Sequence, residues 1–136
     1  MESRSMLTAM LTIAVGLPAL SVVHAAGVQQ PRMHDVAAMT AAQDTAVGRA
    51  IFTGKGACFA CHGPEAKGTP LAPNLTDTTW VNVDGSLESI VKIITEGVPN
   101  PKNAPAPMLA KGGAPLTDAE VRAVASYVFA LSRSGS

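Results

Sequence analysis

Apolar positions recur with helical spacing in three stretches of the chain, and the residues between them keep no sustained period. In the first, Val47, Ala50 and Ile51 fall at i, i+3 and i+4, the spacing that lines one face of an α-helix. Thr40-Ala41-Ala42-Gln43 fits a capping box and predicts the start at Thr40, while Gly54 and Gly56 predict the stop. Gly48 inside this helix costs about 1 kcal/mol relative to alanine; a glycine is tolerated there when another helix crosses closely, and Phe52, one turn on, shares its face. The second stretch, from about Ser86 to Glu96, carries Leu87, Ile90, Val91 and Ile94 at i, i+3, i+4 and i+7, with Asp84 or Ser86 as cap and Gly97 as stop. Taken alone, that stripe reads as core and not as a site. The third begins with a second capping box, Thr117-Asp118-Ala119-Glu120, preceded by Leu116 as a staple residue. Its apolar face is Val121, Val124, Ala125 and Val128, widened by Tyr127 and Leu131, so it is predicted to be covered on more than one side; Arg133 suits its C-terminus.

The intervening segments read as loops. Gly63 to Leu75 is rich in glycine and proline, and Thr76 to Gly85 continues without a period and holds the single tryptophan, Trp80. Val98 to Pro115 contains five prolines, Pro99, Pro101, Pro105, Pro107 and Pro115. Each fixes φ and removes a backbone donor, so this stretch is neither helix nor central strand but a stiff extended loop. The fold expectation is all-α, about three main helices joined by Gly/Pro-rich loops.

The N-terminus follows a different pattern. Met6 to Val23 is apolar apart from Thr8, Thr12 and Ser21, Arg4 precedes it, and small residues around Ala25 and Ala26 offer a cleavage point. This reads as a secretory signal over residues 1–25. The alternative is an uncleaved anchor, since the run approaches the roughly 18 residues that span a bilayer. Residues 26–39, with Pro31 and no sustained periodicity, read as a tail, and 40–136 as the folded domain; Met33, His34 and Met39 are taken as uninvolved in chemistry because they lie on that arm.

Composition narrows the function without naming it. The 136 residues fit one domain. Ten Lys and Arg balance ten Asp and Glu, so the basic footprint of a nucleic-acid binder is missing. A partner must be recognised through a local patch.

The chemistry is concentrated in Cys58-Phe59-Ala60-Cys61-His62, which uses both cysteines of the chain. Cys-x-x-Cys-His is the attachment sequence for c-type haem. Each thiol can add across one vinyl group, and the two-residue spacing lets one turn of chain reach both vinyls on one porphyrin edge. His62 is then held beside the ring as proximal iron ligand. The competing readings are weaker: a redox dithiol belongs near a βαβ pattern that this chain lacks, tetrahedral zinc wants a further ligand cluster, and a plain disulfide leaves His62 unexplained.

A second axial ligand must come from elsewhere. Met108, directly after Pro107, is the single methionine downstream of His62, and no histidine follows His62. A thioether is a soft ligand suited to haem iron, and a stiff loop loses less entropy on presenting it. The alternatives are Met108 as a core gap-filler, or Lys102 or Lys111 as ligand in deprotonated form. Trp80 reads as a core anchor, as a donor to a haem propionate through its indole N–H, or as both.

Three helices around Cys58, Cys61 and His62, with Met108 in a Pro-rich loop before the last helix, resemble a small class I cytochrome c. The resemblance covers about Thr40 to Leu131. It implies the cytochrome c fold around one covalently attached haem c, with Gly48 and Phe52 crossing the last helix near Tyr127. Pro73-Asn74-Leu75 is similar to the family's Pro-x-Leu stretch, which implies that the Pro73 carbonyl accepts from the His62 ring and that Leu75 packs on the haem. It also implies haem attachment outside the bacterial inner membrane, in agreement with the export signal. The chain lacks the lysine-rich docking face of the mitochondrial members. The expected function is therefore a periplasmic one-electron carrier, not an enzyme, that meets redox protein partners and touches a membrane only through a partner or an uncleaved signal. The alternatives are a haem subunit of a larger respiratory oxidoreductase, or a haem enzyme or sensor with an open sixth position.

Overall fold

The computed structural model describes residues 32–135. The expected signal over residues 1–25 lies outside the described residues, as does the segment up to residue 31. Four helices follow in order: α1 (Met33–Thr53), α2 (Phe59–His62), α3 (Leu87–Glu96) and α4 (Asp118–Ser134), with one 3-10 turn at Ala110–Gly113 before α4. Among the described residues there are no strands, only the isolated bridges Thr69 to Ala72 and Val98 to Met108. The all-α expectation therefore holds. Among the same residues no helix is long and apolar enough to cross a membrane.

The first helix departs from its predicted start. It begins at Met33, not Thr40, and so runs through half of the segment read as an irregular tail. The Arg32 backbone N–H donates to Asp35 Oδ2 at 3.0 Å, which satisfies one of the free donors at the helix end. The Thr40 hydroxyl, read as a cap, instead donates to the Val36 carbonyl at 2.9 Å from inside the helix. Residues 33–42 contain neither Gly nor Pro, so propensity carries the helix backward although nothing packs there: Met33 is 91% exposed.

The packed face of α1 is also rotated by one position. Gly48, Ile51 and Phe52 are buried, whereas Val47 is about half exposed and Ala50 points outward. The close crossing of α4 explains the shift. A Cβ on Gly48 would collide with the Ala123 carbonyl oxygen and stand 2.8 Å from Tyr127 Cβ, so the two backbones touch where Gly48 offers no side chain. One turn on, the Phe52 and Tyr127 rings meet edge to face with centroids 5.5 Å apart. The crossing implied by the resemblance is present.

The other helix ends follow their sequence signals. Ser86 caps α3, its hydroxyl accepting from the Ser89 N–H at 3.2 Å, while Asp84 accepts from the Ser86 N–H at 2.9 Å. Thr117 and Glu120 close the capping box of α4: Thr117 Oγ1 accepts from the Glu120 N–H at 3.3 Å, and Glu120 Oε2 accepts from the Thr117 N–H at 2.8 Å. Leu116 is buried beside this cap. Phe52, Ile90, Val121 and Val124 are the largest fully buried side chains and join α1, α3 and α4 in one core.

Candidate functional site

Between α1 and α2 the chain turns sharply. Gly56 N–H donates to the Ile51 carbonyl at 2.8 Å, and Ala57 takes φ 49°, a left-handed conformation that costs an alanine about 1–2 kcal/mol. The single turn of α2 follows, with the His62 N–H donating to the Cys58 carbonyl at 3.0 Å. That turn puts Cys58, Cys61 and His62 on one wall, as the three-residue spacing requires. Gly63, at φ 81°, ends it.

The loop from Gly63 to Leu75 is irregular but tightly bonded. Gly68 N–H donates to the His62 carbonyl at 2.8 Å, Thr69 Oγ1 donates to the Cys61 carbonyl at 2.6 Å, and Leu75 N–H donates to the Ala66 carbonyl at 2.8 Å. The loop thereby brings the Pro73 carbonyl oxygen to 2.9 Å from His62 Nδ1. A carbonyl can only accept, so Nδ1 carries the proton and Nε2 keeps its lone pair. Burial pushes the His62 imidazole below its ordinary value and the Pro73 bond pulls it back in part. Burial raises the Cys58 thiol, its own backbone works against that, and the nearby Cys61 adds to it. Among the described residues no cluster of three or more His, Cys, Asp and Glu is arranged to hold a bare metal ion.

The motif opens onto one apolar cavity enclosing about 1310 Å³, its open mouth included. Its mostly apolar lining with a few polar groups suits a large, largely apolar ligand. Ile90, Ile93 and Ile94 of α3 and Val124 and Val128 of α4 form walls, and no Asp, Glu, Lys or Arg side chain lines it. Here the reading of the α3 stripe needs correction, because Ile90 and Ile94 are core and cavity wall at once. Ile93, Val81, Val83 and the polar Asn82 complete the lining without any sequence pattern that marked them.

All seven residues singled out in the sequence reach this cavity: Cys58, Cys61, His62, Pro73, Leu75, Trp80 and Met108. Met108 is half-buried and fixed by its backbone. Its N–H donates to the Val98 carbonyl at 3.0 Å and its carbonyl accepts from the Val98 N–H at 2.9 Å. The stiff loop is thus anchored to the residue just past α3. The two lysines considered as ligands lie elsewhere: Lys111 Nζ donates to the Leu116 carbonyl at 2.8 Å, Lys102 is exposed, and neither lines the cavity. Trp80 is partly buried, with its indole against Gly85, where any Cβ would strike the ring.

The donor set fits a haem. Two thiols, an imidazole with a free nitrogen and a soft thioether face an apolar space that carries no fixed charge. The family model described as "Cytochrome C oxidase, cbb3-type, subunit III" matches residues 43–128, which include the motif, Met108 and the cavity walls. The chain is also 39% identical over 90 residues to the cbb3-type cytochrome c oxidase subunit CcoP of Rubrivivax gelatinosus, a match covering 66% of this chain and 27% of that protein. The matched stretch is thus about a quarter of the length of that curated relative. No solved structure matches the chain significantly.

Proposed function

The chain belongs to the cbb3-type cytochrome c oxidase subunit III family, a family of class I c-type cytochrome domains, and from that premise we propose that it carries one covalent haem c and passes single electrons as a subunit of a larger respiratory oxidoreductase. The observation that carries this reading is the convergence of His62 and Met108 on one uncharged apolar cavity, with Cys58 and Cys61 at its wall. The family match and the CcoP relative favour a subunit over the free shuttle expected from the sequence, so the alternative becomes the main reading.

When bound, the haem supplies a one-electron iron couple. Cys58 and Cys61 would hold it by thioethers. His62 would bind it through Nε2, and the Pro73 carbonyl, accepting from Nδ1, fixes the tautomer and the ring orientation and raises the basicity of that nitrogen. Met108 would supply a second protein ligand; His/Met ligation raises the reduction potential. Leu75, Trp80 and the α3 and α4 side chains line the cavity and exclude water from it. With His62 and Met108 both holding the iron, no position would be left for a substrate, which favours electron transfer. Export and a periplasmic position of the domain belong to the same proposal.

Fractionation of the native source tests it. The chain is expected in detergent-extracted membranes, migrating with further oxidoreductase chains and carrying haem that survives denaturing electrophoresis. Recovery from soluble extract alone, as a single chain, would return the shuttle reading; loss of the haem on denaturation would remove the covalent one.

A further inference from the structure

The segment Met108–Gly113 is held between two surfaces that are backbone on both sides. At one, α3 ends in Gly97, with φ 75°. A Cβ there would strike the Met108 carbonyl oxygen and stand 2.7 Å from the Ala110 nitrogen and 3.1 Å from the Leu109 carbonyl carbon. At the other, Gly112, with φ 67°, lies against the Gly56 carbonyl oxygen, which its own Cβ would strike. Gly56 precedes the motif by two residues, and its carbonyl accepts from Cys58 Sγ at 3.5 Å. The loop that carries Met108 thus rests directly on the chain that carries Cys58.

Contacts of this kind behave differently from side-chain packing. A side chain in the way can change rotamer, but two backbones in contact move only as segments. We propose that Gly97 and Gly112 are positioning residues that set where the Met108 sulfur stands relative to the attachment motif. The inference rests on Met108 being the sixth ligand. A methyl group at either position displaces the loop, and a weak thioether ligand is the first bond to yield.

The same turn contains its own control. Gly113 has φ 78°, so alanine there is strained in the same way, yet its Cβ would meet only Leu109 Cδ1 at 3.2 Å, the end of a flexible side chain. Lys111, at φ 55°, shows that the turn accepts an L-residue in this conformation. Backbone strain and backbone displacement can therefore be separated.

The test uses the full chain with haem attached and reads the ferric sulfur–iron absorption band, haem retention on denaturing gels, and carbon monoxide binding by the reduced form. Gly97→Ala and Gly112→Ala are expected to keep covalent haem, lose the band and bind carbon monoxide; Gly113→Ala is expected to keep the band. Gly112 is exposed, so Gly112→Ala stands as the decisive variant if Gly97→Ala does not mature. An intact band in Gly112→Ala overturns the proposal, as does an equal loss in Gly113→Ala, which would assign the effect to strain. A wild-type protein without the band would overturn the Met108 reading itself, and the clamp with it.

Discussion

Glu120 shows how one side chain can join two elements beside the site. Its carboxylate accepts from Lys55 Nζ at 2.8 and 3.0 Å, from the Thr117 N–H at 2.8 Å and from Thr117 Oγ1 at 3.0 Å. The pair with Lys55 ties the turn before the haem motif to the first turn of α4. Lys55 first, then Thr117, hold the carboxyl down at about 2 against an ordinary value of 4.5. Because the folded value is the lower one, the stabilisation is complete above about pH 4.5 and is lost as pH falls toward about 2, where the unfolded chain binds its proton first. Urea midpoints measured across that window should fall with pH in the wild type and fall less steeply in Glu120→Gln. Part of the slope will remain, since Asp84 is also held at about 2, by Ser89 and Ser86. Identical slopes would mean that the Lys55 contact contributes nothing. At this scale the sequence was legible where chemistry is local. Cys58, Cys61 and His62 announce themselves by spacing, and Thr117 with Glu120 by a four-residue pattern. The Lys55 partner was not legible, because 65 positions separate the two residues.

Helix existence and capping were readable for α3 and α4, since both depend on residues within one turn of the helix end. The α1 boundary was not, because a run without Gly or Pro lets the helix extend where no packing requires it. Its buried face was placed in part: Gly48, Ile51 and Phe52 are buried as the crossing required, whereas Val47 and Ala50, counted in the apolar spacing, face outward. Gly48 is the sharpest test of the α1–α4 crossing. Gly48→Ala would place a methyl group against the Ala123 carbonyl, and overpacking of this kind costs about 1–3 kcal/mol. Denaturant unfolding of the holoprotein should show that loss. A gain in stability, as expected for alanine in an uncrowded helix, would show that the crossing is looser than described.

For the molecule as a whole, the cavity is the structure's main addition. The seven residues chosen from sequence all reach it, yet Ile90, Ile94, Val124 and Val128 of its wall come from stripes that read simply as core. Periodicity reports burial and cannot say whether the buried face meets protein or a bound group. Two residues of the lining, Leu71 at 48% and Leu109 at 62%, are exposed apolar side chains, on a chain whose formal charge is zero. An encounter through such a surface gains little from steering, so electron exchange with its physiological partner should change by less than about threefold between low and high salt. A steep fall with salt would point to a charged docking face instead.

Whether His62 and Met108 both hold the haem iron, as proposed, is read from the ferric absorption spectrum. The wild-type holoprotein should be low-spin with a sulfur–iron band, and Met108→Ala should lose that band while keeping its covalent haem. A high-spin ferric wild type, or a band that survives Met108→Ala, would contradict the account.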